Sequence, residues 1–259
     1  MRMFKIALDA GHGLYTPGKR CLKSLDKNET REWVLNNRIC DRVEELLKAY
    51  EGYALLRVDD TTGERDIPLG NRTDAANRWG ADFYLSVHHN AGVGGGSGGG
   101  PVTIAYTNAS AASLAYQRIV HESFVESVGN FGNRADSMPE MNLHVLRETT
   151  MPAVLIECGF MDSSVDVPLI LSEEFAEKAA QGLTDALVKI GGLTKKEEVA
   201  MEPKFQDIDG HYAEKAIREL FEMGIVNGVS ETEFAPDAPM TRGQMAVALR
   251  NVVRYVLGR

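Results

Sequence analysis

His12, Glu32, His88 and Glu157 are the side chains of this chain whose types and settings could together do hydrolytic chemistry. His12 stands in IALDAGHG, where an apolar run ends in Asp9 and a histidine follows between two glycines. Glycines on both sides let the backbone turn sharply and lift the imidazole off the end of a strand. In open α/β sheets that end is where ligands bind. Glu32 falls in the first turn of a predicted helix, a place the helix dipole also favours for a carboxylate. His88 follows the apolar run 83–87, and Glu157 ends the run AVLIE. Two imidazoles and one carboxylate from separate elements form the open three-ligand set of catalytic zinc, with the fourth place left to water. A further carboxylate such as Glu157 could act as the base.

Residue types alone leave choices open. His88 and His89 are adjacent, so in an extended chain they face opposite ways and at most one reaches a metal. A sheet buried on both faces is apolar on both, and the pattern does not choose between them. Glu29 competes with Glu32. A lone glutamate at a helix start is commonly just dipole-favoured, and a lone histidine is more often packed than a ligand. His121 and His211 are assigned no metal. Cys21, Cys40 and Cys158 are odd in number and widely spaced, which reads as free thiols of a reducing compartment and not as a zinc pattern.

The elements that must position these groups follow from periodicity. Strands are predicted at 4–9, 53–58, 83–87, 102–106 and 153–157. Helices are predicted from about residue 30, with Leu35, Ile39, Val43 and Leu46 on one face, and at 67–79, 109–128 and 175–190. Alternating strands and helices imply an α/β fold: a twisted, mainly parallel sheet with helices on both faces. Residues 92–100 hold seven glycines, which reads as a flexible surface loop. The charged stretch 193–203 reads as a linker. Beyond it, helices at 211–223 and 241–257 predict a small all-α C-terminal domain. The expected division is 1–192, linker 193–203, and 204–259.

The chain of 259 residues has 44% hydrophobic and 25% charged residues, an ordinary globular composition. A formal charge of −9 argues against nucleic acid and anionic membrane as partners, since both need a basic face. No apolar run approaches the roughly 20 residues of a membrane helix. MRMFKIALDAGHG lacks the apolar core and small-residue cleavage site of a signal peptide.

Residues 4–190 resemble the zinc-dependent N-acetylmuramoyl-L-alanine amidases, a family that includes many phage endolysins and bacterial autolysins. The matching stretches, in the family's order, are IALDAGHG, EWVLNNRI, NRTDAANRWGADFYLSVHHNA and VLRETTMPAVLIECGFMDS. The resemblance implies one Zn2+ held by His12, Glu32 and His88, choosing His88 over His89, with Glu157 as the catalytic glutamate. Spacing to Asn36 and Ile39 favours Glu32 over Glu29. It also implies a zinc-exopeptidase-like fold and hydrolysis of the amide joining N-acetylmuramic acid to L-alanine in peptidoglycan. Asn90, Arg72 and His144 are further candidates for substrate contact or for hydrogen bonds behind the ligands; capping or packing competes for Arg72 and Asn77, and packing for His144. With no leader, the expectation is a phage endolysin made in the host cytoplasm and acting at the cell wall. The alternatives are a host autolysin, a non-catalytic wall-binding protein, and a zinc peptidase cutting the stem peptide.

The tail, 204–257, resembles a single S-layer homology unit through FQDIDGHYAEKAI, GIVNG and FAPDAPMTRGQMAVAL. That implies binding of a secondary cell-wall polymer, with Thr241 and Arg242 at the core of recognition. Gly243 and Gln244 depart from the more frequent Ala-Glu. Such units commonly work in threes, so one unit implies either a weak anchor or a homo-oligomer formed through the tails; a purely stabilising tail is the blander reading.

Overall fold

The computed structural model describes residues 2–196 and 205–257. In chain order the elements are β1 (Phe4–Ala10), α1 (Glu32–Leu47), β2 (Tyr50–Glu51), β3 (Tyr53–Arg57), α2 (Leu69–Trp79), β4 (Phe83–Asn90), β5 (Val102–Ile104), α3 (Ala111–Val128), α4 (His144–Arg147), β6 (Ala153–Phe160), α5 (Asp166–Ile170), α6 (Glu173–Gly191), β7 (Thr194–Lys195), α7 (Glu214–Glu222) and α8 (Arg242–Leu257). The chain divides into two compact units, Met1–Lys196 and Glu197–Arg259.

The first unit is built on a five-stranded sheet of order β3-β1-β4-β6-β5, parallel except where β5 runs against β6. Alternation along each strand sends side chains to two cores. Ile6, Leu8, Phe83, Leu85, Val154 and Ile156 pack with Leu35, Ile39 and Val43 of α1, Val120 and Phe124 of α3, and Ala179 and Leu183 of α6. Ala7, Tyr84, Ala153 and Leu155 pack on the other face with Ala76 of α2 and Val145 and Leu146 of α4. Helices thus cover both faces. Ser110 and Ser172 start α3 and α6 by accepting the N–H three residues on, and α2 and α6 stop at Gly80 and Gly192, both left-handed. All three cysteines are buried and free. Among the described residues no helix is long and apolar enough to cross a membrane.

Three departures from the sequence reading change the account of the first unit. Strands β4 and β6 run three residues past their predicted ends, so His88, His89 and Glu157 lie within the pleat. Residues 193–196 belong to the first unit: Leu193 is buried in its core and Thr194–Lys195 pairs antiparallel with Tyr50–Glu51. The rest of the expected linker, 197–203, lies outside the described residues.

The glycine-rich loop is the third departure, and the reading of it as flexible is corrected. The N–H groups of Gly92, Val93 and Gly94 all donate to Asp162 Oδ2, at 2.9, 2.8 and 2.7 Å. Gly100 donates to Asp166 Oδ2 (2.8 Å), which also holds Phe160 N–H (2.9 Å). Residues 92–100 are therefore wrapped around two carboxylates that follow β6. A side chain at Gly99 would collide with Asp166.

In the second unit Phe205, Ile208 and Ile217 form a small core with Phe221 and Phe234 against it. Asp207 ties its start to its far loop by accepting Phe234 N–H (3.0 Å) and Ala235 N–H (2.6 Å). Its described residues carry no strand.

Replacing Asp162 with Ala removes three charge-assisted hydrogen bonds at once. The expected outcome is a loss of roughly 2–3 kcal/mol in urea unfolding, with new protease cleavage confined to 92–100. Unchanged stability and no cleavage there would contradict this account of the loop.

Candidate active site

The carboxyl ends of β1, β4 and β6 bring the four groups together. Beyond β1 the chain turns at His12, which adopts a left-handed conformation (φ 68°) uncommon for a residue with a Cβ. The neighbouring glycines are there for closeness. A Cβ on Gly11 would be driven into the His88 imidazole, and one on Gly13 would lie 2.9 Å from the Asp66 backbone nitrogen. The rings of His12 and His88 meet edge to face, centroids 4.9 Å apart.

Glu32 is the first residue of α1, its side chain only 1% exposed. Oε1 lies 3.0 Å from His88 Nδ1 and 3.3 Å from His12 Nε2, and it accepts His89 N–H at 3.3 Å. One ligand atom from each of His12, Glu32 and His88 lies within 4.8 Å of the others. Burial would raise the Glu32 carboxyl pKa, but the His12 and His88 imidazoles beside its oxygens overrule that and hold it well below the usual range. Burial alone would lower His88, and Glu32 reverses that upward.

Glu157 on β6 lies in register with His88 on β4. Burial pushes its carboxyl up to about 7, with Glu32 adding to the rise and the His88 charge opposing it. His12 Nε2, Glu32 Oε2 and Glu157 Oε2 are buried without a hydrogen-bond partner. Orphaned polar atoms cost roughly 1–3 kcal/mol each. A shared divalent cation would satisfy the first two, and nitrogen and oxygen donors are the set that such a cation takes. These residues fit a metal.

His89 points the other way. It is buried, its Nδ1 bonds Asn36 Oδ1 (2.8 Å), and burial lowers its pKa to about 3. Asn36, one turn after Glu32 on α1, also donates to Gly11 O (3.1 Å) and so ties α1 to both histidine-bearing segments. In the sequence Asn36 serves only as a spacing mark for Glu32, and its i, i+4 distance from that residue is the one signal of a role at the site.

Arg72 is 1% exposed, and its five N–H groups all have acceptors. Nη1 bonds Asp9 Oδ1 (2.6 Å) and Ala10 O (2.8 Å), Nη2 bonds His12 O (2.9 Å) and Asp66 Oδ1 (3.1 Å), and Nε bonds Ile67 O (2.8 Å). No donor remains for substrate, so Arg72 acts on the turn that carries His12. Asp9 completes the network by accepting Tyr84 Oη–H (2.9 Å) and Ser86 Oγ–H (2.8 Å). Burial would raise its pKa; Arg72 and the hydroxyl bonds bring it below normal.

The remaining candidates are not joined to this cluster by hydrogen bonds. Asn90 accepts the N–H of Ala91 (2.8 Å), and His144 opens α4 with Nε2 buried and unpartnered. Asn77 ties α2 to the segment before β6 through Glu148 O and Thr150 N. In the second unit Thr241 and Gln244 cap α8 reciprocally: Thr241 N donates to Gln244 Oε1 (2.8 Å) and Gln244 N to Thr241 Oγ1 (3.1 Å). Gln244, a departure from the expected Glu, fills the same capping role. Arg242 is exposed.

Known proteins resemble this chain along both of its units. The N-acetylmuramoyl-L-alanine amidase family model matches residues 6–189, and that of the S-layer homology domain matches 204–246. A sporulation-specific N-acetylmuramoyl-L-alanine amidase of Bacillus subtilis (strain 168) is 35% identical over 193 residues, covering 74% of this chain and 70% of that protein. An endolysin of Bacillus phage SPP1 is 31% identical over 190 residues, covering 73% and 66%. The crystal structure of N-acetylmuramoyl-L-alanine amidase from Clostridium difficile 630 superposes with a TM-score of 0.65 at 26% identity, covering 73% of this chain and 97% of that one.

Gly11→Ala should force the His88 ring out of the cluster. Divalent-metal affinity, read by chelator competition, is expected to fall about 10–100-fold, as when a metal site loses the groups orienting its ligands. An alanine variant that binds metal like the parent would contradict the packing described.

Proposed function

The chain belongs to the N-acetylmuramoyl-L-alanine amidase family, and on that premise we propose that His12, Glu32 and His88 hold a zinc ion beside Glu157 as general base and acid. The protein hydrolyses the amide bond between N-acetylmuramic acid and L-alanine in peptidoglycan, and it acts at the cell wall. The observation carrying the assignment of residues is the convergence of three ligand atoms within 4.8 Å, next to a carboxylate whose Oε2 is buried and unpartnered.

Bound zinc supplies positive charge that polarises the scissile carbonyl and eases deprotonation of water. Glu157 then takes the proton of the attacking water and returns it to the nitrogen of L-alanine as the C–N bond breaks. A carboxyl pushed up to about 7 suits both transfers, since base and acid forms lie close in energy near neutrality. Two positive charges brought next to it would draw that value down, so that more of the group stands as the carboxylate that accepts the proton. Arg72 and Asn36 keep the turn at His12 in place.

The tail supports a second part of the proposal: residues 204–246 bind a secondary polymer of the wall, Arg242 contacting its anionic groups. An exposed guanidinium at the first position of α8 suits that role. Relatives include both a sporulation-specific amidase and a phage endolysin, and the chemistry proposed serves either setting.

Two measurements test this. Glu157→Gln is expected to lower release of L-alanine amino groups by about 10²–10⁴-fold with zinc still bound, whereas Glu32→Gln should lose the zinc; normal turnover in the glutamine variant at 157 would sink the assignment. For the tail, Arg242→Ala should weaken co-sedimentation with purified walls by about tenfold, the worth of one charge-assisted contact, and leave turnover on soluble substrate alone. Equal binding by the variant would remove Arg242 from the recognition surface.

A further inference from the structure

Lys19 is fixed by its backbone at the rim of the site. Its carbonyl oxygen accepts the N–H of Glu32 (3.1 Å), beside an antiparallel bridge between Arg20 and Arg31 and a bond from Cys21 N to Thr30 O (2.8 Å). Gly18, at φ 76°, makes the turn that precedes this pairing. The ammonium then lies 3.6 Å from Glu32 Oε2, the oxygen without a hydrogen bond. Its charge also reaches Glu157, where it opposes the effect of burial. Lys19 therefore stands beside the carboxylate read as a ligand and within electrostatic reach of the carboxylate read as the base.

A plain ion pair accounts poorly for this placement. The Nζ to Oε2 separation exceeds a hydrogen bond, and the lysine side chain is 43% exposed. Such a pair is worth no more than about 1 kcal/mol. No hydrogen bond from Nζ is recorded among the described residues. Once a divalent cation shares Glu32, that carboxylate's charge is committed and the ammonium keeps its donors for the reaction space. Arg72, the cation that holds the turn at His12, has none left to give.

Amide hydrolysis creates negative charge in that space. As the water oxygen bonds to the carbonyl carbon, the carbonyl π pair moves onto its oxygen and Glu157 takes the water's proton. Collapse restores the carbonyl, breaks the C–N bond, and passes that proton to the departing nitrogen. Atoms and charge balance with no further reagent. We propose that Lys19 is a further catalytic residue, its Nζ donating a hydrogen bond to the oxyanion that develops on the lactyl carbonyl oxygen. This rests on the amidase reading and on Glu157 as base.

The test uses the full zinc-loaded chain and a soluble N-acetylmuramoyl peptide, scoring free L-alanine amines. Lys19→Met should lower kcat by about 10²–10³-fold, the usual effect of removing an oxyanion donor. KM, and zinc affinity measured on the apoprotein, should stay within about fivefold, the shift that about 1 kcal/mol from a half-solvated pair without a hydrogen bond allows. Lys19→Arg, which keeps the charge, should recover part of the lost kcat. A Lys19→Met enzyme with parental kcat, in an assay where Glu157→Gln loses turnover, overturns the role of Lys19 alone. A raised KM with unchanged kcat makes Lys19 a ground-state anchor, and a tenfold or larger loss of zinc affinity makes it a support for Glu32; each overturns the proposal. Turnover retained by both variants overturns it together with the base role of Glu157.

Discussion

The structure of the site depends on one buried ion pair, Asp9 with Arg72. Neither partner could be buried alone: an unpaired charge at this depth would cost several kcal/mol. Together they leave few donors and acceptors unspent. Arg72 grips three carbonyls, at Ala10, His12 and Ile67, so the end of β1 and the loop before α2 are pinned to one planar group. Asp9 faces the hydroxyls of Tyr84 and Ser86 on the next strand, which fixes β1 against β4 at the level of the site. The strained backbone of His12 persists because this network surrounds it.

From that anchor the rest is assembled by short links. Asn36 joins Gly11 to His89, so α1 cannot slide without moving both histidine segments. Glu32 projects from the same helix one turn earlier, buried between the two rings. Beyond β6, Asp162 and Asp166 gather the loop 92–100 against the end of that strand, just past Glu157. Each link is polar, and those through Asn36, Glu32 and Asp166 are buried, which fixes geometry more sharply than apolar packing can.

The fold is largely legible in the sequence because its strands and helices have distinct periods, and β1 and α1 show theirs plainly. The candidate site residues are legible too: two glycines around His12 are a local signal of a turn. Which ring of His88 and His89 turns toward Glu32 is not legible from the residues, because it depends on which face α1 covers, and the choice came from family resemblance. The loop 92–100 misleads for a similar reason. Its composition is that of a flexible linker, yet glycines are also what lets successive N–H groups converge on one carboxylate, and that carboxylate comes some seventy residues later. Leu193 looks like linker until Tyr50–Glu51 is placed beside it. Thr241, an expected recognition residue, spends its hydroxyl on capping α8, a bond that needs only the residue three positions on.

Arg72 and Lys19 show why one site keeps two different cations. Both lie beside carboxylates, but a guanidinium is a planar fork of five donors, suited to being saturated by fixed acceptors in the interior. Arg72 is used that way, and its charge is spent before any substrate arrives. An ammonium is a compact charge on a flexible stem, and Lys19 holds it at a half-exposed rim with its donors uncommitted. Exchanging the two would cost on both counts: lysine could not hold three carbonyls and two carboxylates, and arginine at the rim would keep the charge but carry it on a wider, planar head. The division follows from chemistry. The buried cation builds the turn, and the exposed one is left to meet charge that exists only during the reaction.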